Sequence, residues 1–204
     1  MTGVFITFEG GDGAGKSTQV ARLAETLRAR GWDVVATREP GGTAIAEKIR
    51  DVLLDPANHE MGDRTEALLF AAGRAEHVHH LIRPTLERGG IVISDRFMDS
   101  SIVYQGMGRG LGAQDVMGLN MWATGNLKPD LTIVLDVESD LGLDRIGVKD
   151  RIEQAAPEMH VKVRHGFLQL AAADPDRYCV INANQSVDAI ASEVLTRVEA
   201  LLQA

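Results

Sequence analysis

Gly10-Gly11-Asp12-Gly13-Ala14-Gly15-Lys16-Ser17 fits G-x-x-x-x-G-K-[ST], a loop whose backbone N–H groups turn inward to cradle nucleotide phosphates. Its flanks agree with that reading. Val4-Phe5-Ile6-Thr7-Phe8 is a short apolar, β-branched and aromatic run, the pattern of a buried strand. After the loop, Val20, Leu23, Ala24 and Leu27 recur on one helical face. Strand, glycine loop and helix N-terminus together place partial positive charge where phosphates sit. Lys16 is spaced to reach the outer phosphates, and Ser17 to ligate a divalent ion, with Thr18 closing the loop segment.

Further strand signals follow at intervals filled by helical periodicity. They are Asp33–Thr37, Ile91–Ser94, Leu131–Leu135 and Cys179–Ile181. Short apolar strands alternating with helices predict an α/β fold of three layers, the P-loop NTPase arrangement. It has a central parallel sheet of about five strands and helices on both faces. Ligands in such folds bind beyond the carboxyl ends of the strands, so residues just after each strand are the functional candidates. Residues 1–204 read as one domain, without internal repeat or linker. Val187, Ile190, Ala191, Val194, Leu195, Val198 and Leu202 predict a core-facing helix at the C-terminal end. A long helix is expected from near Thr65, ended or kinked by Pro84.

The formal net charge of −8 argues against a nucleic-acid partner, so cations for an anionic substrate must be concentrated locally. No apolar run is long enough to span a membrane and no leader pattern opens the chain, so a cytoplasmic protein is expected. Cys179 is the single cysteine, which suits a reducing compartment, and its apolar neighbours predict burial over reactivity.

The post-strand segments are Thr37-Arg38-Glu39-Pro40-Gly41-Gly42-Thr43 and Asp95-Arg96-Phe97-Met98-Asp99-Ser100-Ser101, the latter continuing to Tyr104-Gln105-Gly106. Between them lies Leu68-Leu69-Phe70-Ala71-Ala72-Gly73-Arg74, and an Arg-Gly pair follows at Arg109-Gly110. With the phosphate loop, these blocks, in this order, resemble the thymidylate kinase family in its bacterial form. The resemblance implies ATP and dTMP as substrates, Mg²⁺ as cofactor and a homodimer.

It also implies roles. Phe70 would stack on thymine and Arg74 would hydrogen-bond it, with Gln105 reading the base as well. Arg50, Arg96 and Arg38 are candidates for the acceptor phosphate. Glu39, Pro40, Ser100, Ser101 and Tyr104 would line the nucleoside pocket, Tyr104 crowding a ribose 2′-hydroxyl. Taken singly, Phe70 and Tyr104 could be core aromatics, and Arg74 and Arg50 solvated helix charges. Asp95 would hold Mg²⁺ opposite Ser17, the competing role being a helix cap. Asp12, an acid inside a phosphate loop, would face the sugar hydroxyl of dTMP.

The implied reaction moves the γ-phosphoryl group of ATP onto an oxygen that is already anionic, so no general base is needed. Catalysis is then alignment and charge cancellation by Lys16, Arg96, Asp95 with its ion, and a lid cation. A transition-state arginine is worth about 10³–10⁵ in rate. The resemblance places it on a mobile lid near 145–155, where Arg145, Lys149 and Arg151 are the cations and Arg151 is chosen. This stretch is shorter and poorer in arginine than the family pattern. Asn184-Gln185 either closes an adenine pocket or is a simple turn. His77, His79 and His80 do not share one face and are expected on a solvated surface. Trp122, Met107, Met117 and Met121 are expected to fill core gaps near the pocket or a subunit contact. Two other functions fit the loop: another nucleotide or deoxynucleoside kinase, or a nucleotide-switched interaction protein.

Overall fold

A computed structural model describes residues 3–138, 150–152, 154 and 157–203. Five strands, β1 (Val4–Glu9), β2 (Val34–Arg38), β3 (Ile91–Asp95), β4 (Leu131–Asp136) and β5 (Tyr178–Asn182), form one sheet in the order β2-β3-β1-β4-β5. Every pairing is parallel. The expected sheet is therefore present. Each strand ends one residue later than its apolar run, because the ladder continues through Phe8↔Asp95, Arg38↔Asp95 and Asp136↔Asn182 whatever the side chain.

Helices α1 (Lys16–Ala29), α2 (Ala44–Leu54), α3 (Asp63–His77), α4 (Arg83–Glu87), α5 (Met98–Ser101), α6 (Ala113–Thr124), α7 (Pro157–Ala173) and α8 (Val187–Gln203) surround the sheet. Alternation along β1 explains the layers. Ile6 and Phe8 join the core under α1 and α8, with Leu23, Leu27, Val194 and Val198. Phe5 faces the opposite core, with Ile82, Phe97 and Ile102. Each fully buried phenylalanine contributes about 1.5–3 kcal/mol relative to exposure. A third cluster, with Val163 and Phe167 of α7, covers Val134 and Tyr178.

Pro84 does not end the helical run. α3 gives way at His77 to a π-type turn, Val78–Ile82, and the chain re-enters α geometry at Arg83. The register change puts Pro84 in a first turn, where its missing N–H leaves no gap in the ladder.

Candidate active site

Loops leaving β1, β2 and β3 meet at one sheet edge. Gly10, with φ of +131°, is indispensable there: a Cβ would lie 2.4 Å from the Leu135 carbonyl oxygen. Gly15, at φ +89°, turns the chain into α1 as its N-cap. Ala14 is buried in the core beneath the loop, whereas Ser17 and Thr18 are exposed at the helix start. Lys16 Nζ donates to the Gly10 and Gly11 carbonyls at 3.2 and 2.7 Å, which holds the ammonium at the loop's mouth. Burial, and then the neighbouring Arg96, lower its pKa to about 8. Ser17 Oγ donates to Asp95 Oδ2.

Arg96 has φ of +70°, a strained region for a residue with a Cβ, costing roughly 1–2 kcal/mol. Its backbone is tied down on both sides: Arg96 N–H donates to the Phe8 carbonyl, and the Arg96 carbonyl accepts from Ser94 Oγ. This geometry throws the guanidinium back across the loop. There it donates to Gly10 O at 3.1 Å, Ser100 Oγ at 3.0 Å and the Asp12 carboxylate, and lies over the Tyr104 ring. Burial opposes its charge, but Tyr104 and Asp12 outweigh burial and keep it protonated. Asp12 in turn is held below the usual carboxylate range: burial raises it, and Arg96 and Lys16 more than offset that. Tyr104 Oη donates to Asp12 at 2.9 Å.

The base-side residues come from α3, whose positions 66, 70 and 74 lie four apart on one face. Phe70 lines the cleft together with Arg74, Gln105 and Ser101. Arg74 is almost fully buried. Its Nε donates to Glu39 at 2.7 Å, Nη1 to Ser101 and Asn120, and Nη2 to the Phe97 carbonyl at 3.1 Å. A guanidinium has five N–H groups, and one on Nη2 has no partner among the described residues. Glu39 also accepts from His77 Nδ1 at 2.9 Å. The other ring nitrogen, Nε2, meets Thr37 Oγ1 at 2.8 Å. Pro40 and Arg50 line the same cleft, with Arg50 Nη1 donating to the Pro40 carbonyl at 2.7 Å, and the Glu39–Pro40 peptide is cis. Arg38 lines it too and pairs with Glu47.

Several expectations need correction. His77 is fully buried and bonded to Glu39, not solvated like its neighbours; a charge contributed by a distant loop overrode the local pattern. Of the two roles expected for Trp122, filling a core gap fails, since it is 83 % exposed, which leaves the subunit contact; Met107, Met117 and Met121 pack against the core as expected. Arg151 does not line the cleft. Its Nε donates to the Leu53 carbonyl at 2.7 Å and its Nη1 pairs with Glu66 at 2.7 Å, which ties it to α2 and α3. Of the other lid positions, Asp150 and Ile152 line the cleft, whereas Arg145, Lys149 and Glu153 lie outside the described residues. Asn184 and Gln185 are stapled as a turn through Asn182.

The sequence reading missed Glu9. From the end of β1 it accepts from Phe97 N–H at 2.8 Å, Ser100 N–H at 3.2 Å and Ser100 Oγ at 2.6 Å, anchoring the turn that carries Arg96. Burial, and then the Asp99 charge, raise its pKa to about 7. An acid closing a buried apolar strand, directly before the glycine loop, was the available signal.

The family model for thymidylate kinase matches residues 8–194. A thymidylate kinase of Lactobacillus delbrueckii subsp. bulgaricus is 50 % identical over 193 residues, covering 92 % of this chain and 91 % of that one. One from Desulforudis audaxviator is 50 % identical over 206 residues, covering 100 % and 93 %. The crystal structure of thymidylate kinase from Ehrlichia chaffeensis superposes with a TM-score of 0.80 at 36 % identity, covering 97 % of this chain and 99 % of that one. The motif blocks lie on the cleft walls that these matches span, and the chain belongs to the thymidylate kinase family.

Proposed function

We propose that the protein transfers the γ-phosphoryl group of ATP to the 5′-phosphate of dTMP, giving ADP and dTDP, with Mg²⁺ as the divalent ion. Family membership makes it a nucleoside monophosphate kinase, a transferase. One observation carries the detailed reading. A single cleft is lined by the phosphate loop with Lys16, by Arg38, Arg50 and Arg96, and by the Phe70–Arg74–Gln105 slot.

Two polyanions meeting end to end need cations between them. Lys16 faces the donor phosphates, while Arg96, supported by Arg50, holds the acceptor. The bond from γ-phosphorus to the ADP oxygen breaks as one forms to the dTMP phosphate oxygen. That oxygen carries no proton, so the residues have alignment to supply, not proton abstraction. Ser17 Oγ and Asp95 Oδ2, adjacent hard oxygen atoms, fit Mg²⁺, an ion that keeps several waters and takes few protein ligands beside phosphates. When bound, it would neutralise charge on the phosphate oxygens. Asp12, fixed by Arg96 and Tyr104, is placed for the sugar hydroxyl, with Glu39, Ser100 and Ser101 completing the pocket. The chain acts as one kinase unit.

We also infer a homodimer. Leu68 on α3 is 57 % exposed and Trp122 on α6 is 83 % exposed, and these two helices pack side by side. An apolar face of this kind fits a second copy. Among the described residues no helix is long and apolar enough to cross a membrane, and Cys179 is a free thiol, which supports a cytoplasmic setting.

The test is ATP-dependent formation of dTDP from dTMP, with and without Mg²⁺. Turnover that depends on both is expected. Preference for thymidine over dTMP, or ATP hydrolysis indifferent to dTMP, would refute the reading in favour of a nucleoside kinase or a nucleotide switch.

A further inference from the structure

We propose that Glu66 is a positioning residue that selects the base: it locks the Gln105 amide in one orientation and so admits a 4-oxo pyrimidine and turns away a 4-amino one. The inference deepens the dTMP reading and rests on it.

Glu66 is 1 % exposed in the first turn of α3. Gln105 Nε2 donates to its Oε1 at 2.8 Å, and Arg151 Nη1 lies 2.7 Å from Oε2. Arg109 spans both oxygens at 3.3 Å. Burial works against its charge, and these donors overcome burial and hold its pKa below the usual value. An ionised carboxylate has no proton to give, so the Gln105 atom facing it must be the NH₂ group. The amide oxygen is thereby turned away from Glu66. It accepts from no described residue, and Gln105 lines the cleft.

Arg74 lines the same cleft, with one N–H uncommitted among the described residues. The slot thus offers a donor and then an acceptor. Thymine presents O4, an acceptor, and then N3–H, a donor, and both pairs match. Cytosine presents an amino group and then a bare N3, and both pairs fail. Arg74 cannot adapt, since it has no acceptor, so discrimination depends on whether the amide can flip. Glu66 prevents the flip, because flipping would set a carbonyl against a buried carboxylate. Arg109 and Arg151 keep that carboxylate charged and fixed. A site built to hydrogen-bond its substrate rejects the mismatched analogue by up to about 10⁴–10⁵-fold.

The experiment compares kcat and KM for dTMP, dCMP and N3-methyl-dTMP, at saturating ATP and Mg²⁺, in the full-length wild type and in Glu66→Gln. A neutral amide at position 66 can accept or donate, so Gln105 is freed to flip. The dTMP-to-dCMP ratio of kcat/KM is expected to fall by at least about tenfold, one hydrogen bond's worth, carried mainly by KM. The wild type's penalty against N3-methyl-dTMP is expected to shrink as well. Equal losses on all three substrates would mean that Glu66 only supports the fold, and would overturn the proposal. Gln105→Met covers the case of a misfolded Glu66→Gln, because it leaves Glu66 paired with both arginines. It too should narrow the ratio, and undiminished discrimination in it would overturn the proposal. A wild type inactive on dTMP would sink the kinase reading itself; an active wild type with an unchanged ratio in Glu66→Gln would sink only this inference.

Discussion

Replacing Glu9 by glutamine should flatten one limb of the pH–stability profile. In the folded chain Glu9 is fully buried, and burial with the Asp99 charge moves its carboxyl from 4.5 to about 7. Unfolding returns it to the lower value. Between those two pH values the folded state therefore holds a proton that the unfolded state has released. Stability from this group is fully present below about pH 4.5 and is lost as the pH rises through 7. At about 1.4 kcal/mol per pH unit, the interval corresponds to about 3 kcal/mol. Glutamine does not titrate there, yet its carbonyl can still accept from Phe97 and Ser100 N–H, so the Arg96 turn has a means to persist. The assay is urea unfolding of wild type and Glu9→Gln from pH 4.5 to 8.5, read as the difference between the two. Contributions of groups that do not interact with Glu9 cancel in that difference, so it reports Glu9 together with the Asp99 charge beside it. The variant should gain about 3 kcal/mol relative to wild type as the pH rises through this range. Parallel profiles would show that Glu9 sits near its ordinary pKa in the fold and would refute the argument.

Lys16→Met should leave the melting temperature near that of wild type while lowering kcat by about 10²–10³-fold, measured by coupled ADP release, because it removes one preorganised cation. Arg74→Ala should destabilise the chain by about 3–5 kcal/mol in urea, since it strands the buried Glu39 carboxylate, as well as weakening dTMP binding by calorimetry. Trp122→Ser combined with Leu68→Asp should shift the sedimentation coefficient from dimer to monomer without loss of helical signal. An unchanged sedimentation coefficient would place the subunit contact elsewhere.

What was legible in the sequence was what is local. The phosphate loop, the strands and the amphipathic α8 each announce themselves within a dozen residues, through glycine geometry or periodic burial. The cleft segments after β1, β2 and β3 followed from topology, because in a parallel sheet all carboxyl ends lie on one edge. Residues whose partner lies far along the chain stayed hidden. His77 is buried against Glu39, 38 residues earlier, a partner that no local pattern shows. Arg151 reads as a lid cation, and its pairing with Glu66, far upstream, has no local sign. Glu66 itself reads as an ordinary acid in a helix first turn, favourable there for its dipole alone. Arg74 shows the limit most sharply. A base-contacting role could be named from the motif, yet four of its five N–H groups hold the pocket together. Recognition at this position is therefore the residue left over from a structural network, and only the count of committed donors reveals how narrow the remaining contact is.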